Sequence, residues 1–374
     1  MNIQSIDLCQ YGWTDDWNEA WDRMLLAQAE TSERQGGEFK ENLQPARVIA
    51  DFGQKLKLVT KEGECWGGVS GKFRHQTERQ SDFPAVGDWV MITRTGSMDD
   101  AVIHQLFPRR SRISRQAAGM ETKEQLIAAN VDTLFLVQAL NGDYNVRRME
   151  RYLTMAWNSG ANPVVVLSKS DLCEDSSPFV AEISSIAIGV PVAVISAKME
   201  QGMEELASYL QPGQTIALVG SSGCGKSTMA NWLTGSEQQV TQGIREDDSK
   251  GRHTTTHRHL LPLASGAVLI DTPGMRELTL WDDGADVSAA FEDIDEVAGT
   301  CRYRDCRHEN EAGCAVKAAV QAGQIPQQRI ESFKKMRREL EYQARKEAQK
   351  ERKRQSGGSA ASRRETGWRR DLGW

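Results

Sequence analysis

The run Gly220, Ser221, Ser222, Gly223, Cys224, Gly225, Lys226, Ser227, Thr228 follows the apolar stretch Ile216–Val219 and leads into a helical pattern. It fits the phosphate-loop pattern G-x-x-x-x-G-K-[ST] together with its strand-then-helix context. The glycines let backbone N–H groups curl around phosphate oxygens, and the helix N-terminus adds partial positive charge. Lys226 is expected to reach the β- and γ-phosphates, and Ser227 to ligate Mg²⁺. The loop alone does not name the base, and it suits an ABC-type ATPase equally well. That alternative needs an LSGGQ-like signature and an acidic pair after the next strand, but the strand at 267–270 runs into Asp271-Thr272-Pro273-Gly274. This is the D-x-x-G turn of GTPases, in which Asp271 holds the metal through water and the Gly274 N–H senses the γ-phosphate.

A base reader lies upstream. Ser168-Lys169-Ser170-Asp171 follows a buried-strand run in the manner of an N/T-K-x-D element. An aspartate there accepts from both guanine N1–H and N2–H₂, and adenine offers no such donor pair. Ser170 lines the site by position only. Ser168 stands where Asn or Thr is usual, and its shorter hydroxyl is expected to brace the loop less well. Ser196-Ala197-Lys198, after the next strand, resembles the accessory motif whose backbone N–H meets guanine O6.

A separate cluster carries metal chemistry. Cys301-x4-Cys306-x-His308-x5-Cys314 gathers three thiolates and one imidazole within fourteen residues. Four protein ligands close a tetrahedral Zn²⁺ site with no open position, so the expected role is structural.

The elements that must position these groups follow from the pattern of apolar runs. The runs at 131–140, 163–172, 191–198, 215–220 and 267–274 read as buried strands, separated by helical stretches such as 146–159 and 202–210. Such alternation predicts a mostly parallel sheet covered by helices, with ligands at the carboxyl ends of its strands. The order base motif, accessory motif, phosphate loop, D-x-x-G is that of a circularly permuted GTPase domain. Between Pro45 and about Arg115 the runs "ARVIADF", "KLKLVT", "CWGGVSG", "GDWVMIT" and "AVIHQLF" predict five short strands and a small OB-like barrel. Lys72, Arg74 and Arg79 are its candidate nucleic-acid contacts.

Trp13, Trp17 and Trp21 fall on one helical stripe, which predicts packing, and residues 31–42 read as a loop. Residues 327–354 read as a charged helix whose face of Ile330, Phe333, Met336, Leu340 and Tyr342 docks on the zinc domain. The predicted division is a helical extension over 1–44, the barrel over 45–115, the permuted GTPase domain over 116–285, the zinc-binding helical domain over 286–345, and a basic disordered tail over 346–374.

The net charge of −6 is unevenly spread: residues 331–374 hold 14 Lys and Arg against 7 Asp and Glu, leaving about −13 on the rest. A basic tail on an acidic body suits a polyanionic partner, and Trp368 and Trp374 beside Arg369 and Arg370 suit RNA. Seven scattered cysteines, with no signal-like or membrane-spanning run, predict a cytoplasmic protein. Nothing demands more than a monomer.

The permuted motif order, "GRHTTT" (251–256), "DTPGMREL" (271–278) and the cysteine cluster resemble the circularly permuted, small-ribosomal-subunit-dependent GTPases of bacteria, from about Pro45 to Arg338. The resemblance implies a barrel, a permuted GTPase domain and a zinc domain that act in late maturation of the small subunit. It implies binding to that subunit and its rRNA, and hydrolysis of GTP to GDP stimulated by the particle. Met275 stands where Ras-like enzymes orient water with glutamine, and a thioether cannot polarise water. His253 is the candidate for positioning the attacking water, and Thr254, Thr255 and Thr256 are candidate switch ligands to Mg²⁺ and γ-phosphate. The alternative is an RNA-binding assembly factor that uses GTP as a structural ligand with little hydrolysis.

Overall fold

The computed structural model describes residues 5–34, 42–53, 55–77, 79–95, 100–116, 124–235, 258–271, 291–309, 311–327, 329–338, 341–342, 345 and 348–349. The chain divides into two compact units, one within residues 1–280 and one centred on 281–374.

The first unit begins with α1 (Asp15–Arg34), whose helix runs through residues 31–34, where the sequence predicts loop. Acidic Asp15 and Asp16 in its first turn complement the helix dipole. Trp13 meets the edge of Trp89 at 4.7 Å, Trp17 lies 6.0 Å from Phe107, and Trp21 stacks on Phe107 at 6.0 Å. The tryptophan stripe is therefore packing, as predicted.

Five strands then form the barrel: β1 (Leu43–Asp51), β2 (Leu56–Thr60), β3 (Gly63–Val69), β4 (Trp89–Arg94) and β5 (Asp100–Leu106), with α2 (Gly71–Gln76) between β3 and β4. The order β1-β2-β3-β5-β4 closes because β4 also pairs with β1. Ala46, Val48, Leu58, Cys65, Val90, Ile92 and Ile103 fill the interior. Lys72 and Arg74 are exposed on α2, and Arg79 is exposed just beyond it.

A hairpin of β6 (Arg112–Gln116) and β7 (Glu124–Ala129), which the sequence pattern does not predict, leads into the α/β region. There follow β8 (Thr133–Ala139), α3 (Val146–Ser159), β9 (Asn162–Ser168), α4 (Ser177–Ile186), β10 (Val192–Val194), α5 (Met203–Leu206), β11 (Thr215–Gly220), α6 (Lys226–Thr234), β12 (Arg258–Pro262) and β13 (Val268–Asp271). All seven residues of β8 and all six of β11 are buried, as expected of strands covered on both faces. β11 lies between β8 and β13, parallel to both. β8 is the first strand of this parallel sheet in the chain and β13 the last. Joining the end of β13 to the start of β8 would restore the usual order of a GTPase domain.

β1 belongs to two neighbourhoods. Its first half pairs with β4, closing the barrel, and its end pairs with β12 through Ala50↔His259 and Asp51↔Arg258. The barrel strands and the α/β strands therefore form one eleven-stranded sheet.

Arg47 fastens the same junction. It is 1% exposed and lies over the Trp89 ring. Its guanidinium donates to the carbonyls of Tyr11 and Gly87 and, at 2.9 Å, to the Thr215 hydroxyl at the start of β11. Burial lowers its pKa to about 10, against the pull of Asp132 and Asp88, so it stays charged at neutral pH. Arg47→Met would strand these buried acceptors. A loss of about 3 kcal/mol follows, equivalent to about 6–12 °C in Tm, which calorimetry of the full chain will measure. An unchanged Tm would mean that the junction does not depend on this side chain.

In the second unit, helices Glu292–Ala298 and Ala315–Gln321 flank the cysteine cluster, and residues 329–338 are helical. Ile330, Phe333 and Met336 are buried, Phe333 meets Phe291 at 5.4 Å, and Arg329 pairs with Asp293 through both carboxylate oxygens at 2.6 and 2.7 Å. The apolar face predicted for this helix is buried at these three residues, but Tyr342 is 66% exposed and does not share it. Leu340, and residues 351–374 with Trp368 and Trp374, lie outside the described residues. No helix among the described residues is long and apolar enough to cross a membrane.

Candidate functional site

β11 ends at Gly220, where the chain must turn tightly. A Cβ there would stand 2.3 Å from the Val137 carbonyl oxygen and 2.7 Å from the Cys224 sulfur, so only glycine fits. Gly225, at φ 99°, caps α6 from the left-handed region. Cys224 is fully buried and anchors the middle of the loop in the core beside Val137 and Met229. Lys226 Nζ donates to the carbonyls of Gly220 at 2.8 Å and Ser221 at 2.6 Å, which holds the loop curled over the start of its helix. Ser222, Gly223, Ser227 and Thr228 are exposed around it.

The base motif is strapped to this loop. Ser168, at the end of β9, donates its hydroxyl to the Cys224 carbonyl at 2.5 Å. β9 runs close enough to the loop for the short serine side chain to reach it. Ser168→Ala removes this tie and is expected to speed GDP release about ten-fold, on the scale of one buried hydrogen bond of about 1.4 kcal/mol. Stopped-flow release of a fluorescent GDP analogue will measure it, and an unchanged rate would show the tie to be idle.

Lys169 takes the left-handed backbone (φ 59°), which turns the chain so that Ser170 N–H donates to Ile195 O at 3.1 Å. Asp171 stands exposed beyond that turn. The fully buried Ser196 donates its hydroxyl to Asp171 Oδ1 at 2.6 Å. That hydrogen bond, with smaller help from Lys198 and Lys169, holds the Asp171 carboxyl below the ordinary carboxylate range. Sequence alone assigns Ser196 a backbone role, and the structure adds a side chain that aims the base-reading carboxylate. Ala197 is half-buried and Lys198 exposed on the same turn.

One interaction is invisible in the sequence pattern. Asp143, in the loop after β8, accepts from the Ser221 hydroxyl and from Arg148 Nη1 at 2.8 Å. Arg148 first, then Ser221, hold its carboxyl below the usual range. Its position past the carboxyl end of a buried strand was the available signal. Asp271, at the end of β13, is raised by burial and pulled down by Lys226. A carboxylate there and the Ser227 hydroxyl are hard oxygen donors of the kind Mg²⁺ takes. His253, Thr254, Thr255, Thr256, Gly274 and Met275 lie outside the described residues.

In the second unit, the ligand atoms of Cys301, Cys306, His308 and Cys314 all lie within 4.8 Å of one another, a set that can hold a zinc ion. His308 Nδ1 faces Cys314 Sγ at 3.4 Å and Cys301 Sγ at 3.7 Å. Its backbone is left-handed (φ 59°), its carbonyl accepts from Lys334 Nζ, and its ring lies 6.4 Å from Phe333.

Known proteins share much of this sequence, and a solved circularly permuted GTPase shares its fold. The RsgA GTPase family profile matches residues 106–281. The small ribosomal subunit biogenesis GTPase RsgA 2 of Lactiplantibacillus plantarum is 44% identical over 87% of this chain and 92% of its own length. The small ribosomal subunit biogenesis GTPase RsgA of Opitutus terrae is 44% identical over 82% of this chain and 86% of its own.

The chain belongs to the RsgA GTPase family.

A solved structure, YjeQ from Thermotoga maritima, covers 80% of this chain and 98% of itself at 28% identity, with a TM-score of 0.60. YloQ, a circularly permuted GTPase, shares the fold at 22% identity and a TM-score of 0.59. The expected architecture of barrel, permuted GTPase domain and C-terminal metal-binding unit is therefore correct. An ABC transporter profile also matches, over residues 203–361. The strand, phosphate loop and helix of 215–234 are common to both kinds of protein. The relatives at 44% identity over most of the chain are what assign it to the RsgA GTPases.

Proposed function

We propose that this chain is a GTP hydrolase that binds the small ribosomal subunit and acts late in its maturation. The observation that carries the reading is the strapping of the base motif to the phosphate loop by Ser168, within a permuted fold shared with proteins named as small-subunit biogenesis GTPases. In this reading Asp171 takes guanine N1–H and N2–H₂, and the turn Ser196-Ala197-Lys198 presents its backbone to O6. The N–H groups of residues 221–228 enclose the phosphates, and Lys226 leaves the loop carbonyls for the β- and γ-oxygens. Ser227, and Asp271 through water, would hold Mg²⁺, which would neutralise charge on those oxygens. His253 positions the water, Thr254, Thr255 or Thr256 closes on the γ-phosphate, and the Gly274 N–H senses it. GTP and water give GDP and phosphate.

The metal of the second unit is zinc, because a Cys₃His set is soft and closed. The division into 1–44, 45–115, 116–285, 286–345 and 346–374 belongs to the same proposal, as do a monomeric state, a cytoplasmic location and no membrane partner. Met275 favours a second reading, in which GTP is a structural ligand for an RNA-binding assembly factor.

Steady-state hydrolysis with and without purified small subunits separates the two. Hydrolysis is expected to be slow alone and to rise by about 10²-fold or more with subunits, as when an external partner completes the catalytic groups. Tight GTP binding without stimulated turnover would favour the structural-ligand reading.

A further inference from the structure

The loop that follows β8 holds a carboxylate against the phosphate loop. β8 runs parallel to β11, with Val137 opposite Gly220, so the chain leaving β8 emerges beside residue 221. Contacts within the protein build that loop. Asn141 Oδ1 accepts from Asp143 N–H at 3.0 Å, and Tyr144 N–H donates to Asn141 O at 2.9 Å. Asn145 Oδ1 accepts from Arg148 N–H at 3.0 Å at the start of α3. Tyr144 fastens the loop to α4, its hydroxyl donating to Glu182 at 3.0 Å and its ring meeting Phe179 at 4.8 Å. Asp143 Oδ2 then accepts from both the Ser221 hydroxyl and Arg148 Nη1.

Ser221 is held from two sides. Its hydroxyl donates to Asp143, and its carbonyl accepts from Lys226 Nζ at 2.6 Å and from Cys224 N–H at 3.4 Å. When Lys226 moves to the phosphates, it gives up that carbonyl. The Asp143 tie does not involve Lys226 and can persist through the move. A carboxylate so near a polyphosphate would also repel it. Arg148 is the cation that offsets this charge, with a smaller pull from Lys169.

We propose that Asp143 is a positioning residue of the nucleotide site. It fixes Ser221, and with it the amides of the phosphate loop, once Lys226 has moved to the nucleotide, while Arg148 keeps its charge from repelling the phosphates. The inference deepens the GTPase reading and rests on it. An anchor set before phosphate arrives leaves less ordering to oppose binding, so it raises affinity for a nucleotide whatever its base.

The test is calorimetric titration of the full-length, zinc-loaded chain with GDP and with the imido analogue of GTP, which cannot be hydrolysed. Tm and zinc content serve as folding controls. Ser221→Ala and Asp143→Ala are each expected to raise Kd for both nucleotides about ten-fold, the scale of one hydrogen bond to a charged group. The double variant should bind no worse than either single one, since both remove the same tie. Asp143→Asn is expected to keep Kd within about two-fold, because its carbonyl still accepts from Ser221. Arg148→Met should weaken the triphosphate analogue about five-fold at low salt, and GDP less. Adding Asp143→Asn to that variant should restore the affinity. A merely destabilised chain would instead keep the wild-type Kd and lose binding stoichiometry. Wild-type Kd in Asp143→Ala overturns the proposal, and so do losses that multiply in the double variant. An Arg148→Met loss that Asp143→Asn does not repair overturns it as well. These outcomes leave the GTPase reading intact, whereas a wild-type chain that binds neither nucleotide removes that reading itself.

Discussion

Asp171→Asn lowers kcat/KM for GTP by about 10³-fold or more while leaving the poor reaction with ATP unchanged, the scale seen when a site built to pair a polar group loses that pairing. The carboxylate is exposed, and the buried Ser196 hydroxyl at 2.6 Å fixes one oxygen and keeps the group ionised. An ionised carboxylate accepts from two guanine donors at once. The asparagine amide offers one acceptor and turns its own N–H₂ toward a guanine N–H, so a donor faces a donor. Xanthine carries a carbonyl where guanine carries its amino group, and it would accept from that amide. Turnover of xanthosine triphosphate should therefore rise in the same variant. The measurement is kcat/KM for GTP, ATP and xanthosine triphosphate side by side. Unchanged selectivity for GTP over ATP would sink the assignment of residues 168–171.

Cys301→Ser should empty the metal site and unfold the second unit. Its described residues offer a small core, in which Phe291, Ile294, Val316, Ile330, Phe333 and Met336 are the main buried side chains. A structural zinc contributes on the order of 10–16 kcal/mol to such a fold, more than so small a core supplies. Zinc stoichiometry, together with proteolysis at residues 291–338, will measure the effect: metal content falls and cleavage begins there, whereas GTP binding by the first unit persists. Full zinc content and protection in the variant would remove Cys301 from the ligand set.

Much of this was legible in the sequence because phosphate, base and metal chemistry each demand fixed residue types at short spacing. Lys226, Asp171 and the four metal ligands needed no tertiary information to be found. Strands buried on both faces, such as β8 and β11, were equally plain, since covering both faces makes nearly every residue apolar. The parts that were missed depend on groups distant in the chain meeting in space. Arg47 looks like any surface arginine until β1 places it against Tyr11 and Thr215. Asp143 gains meaning only when β8 and β11 lie side by side. The length of the Ser168 tie could not be read either, because it depends on how closely β9 passes the loop. The hairpin β6–β7 escaped because its strands are short and mixed in polarity.

The pairing of β1 with β12 bears on how this protein can be taken apart. A fragment beginning at residue 124 would keep every nucleotide motif and still be poorly behaved. Arg258 and His259 would lose their ladder partners at Ala50 and Asp51, leaving an open strand border of bare amides and carbonyls. Such a border is a template for the same border of another copy. The isolated fragment should therefore pair with itself and precipitate. The barrel, whatever else it touches, is also the cover that keeps the catalytic sheet solitary.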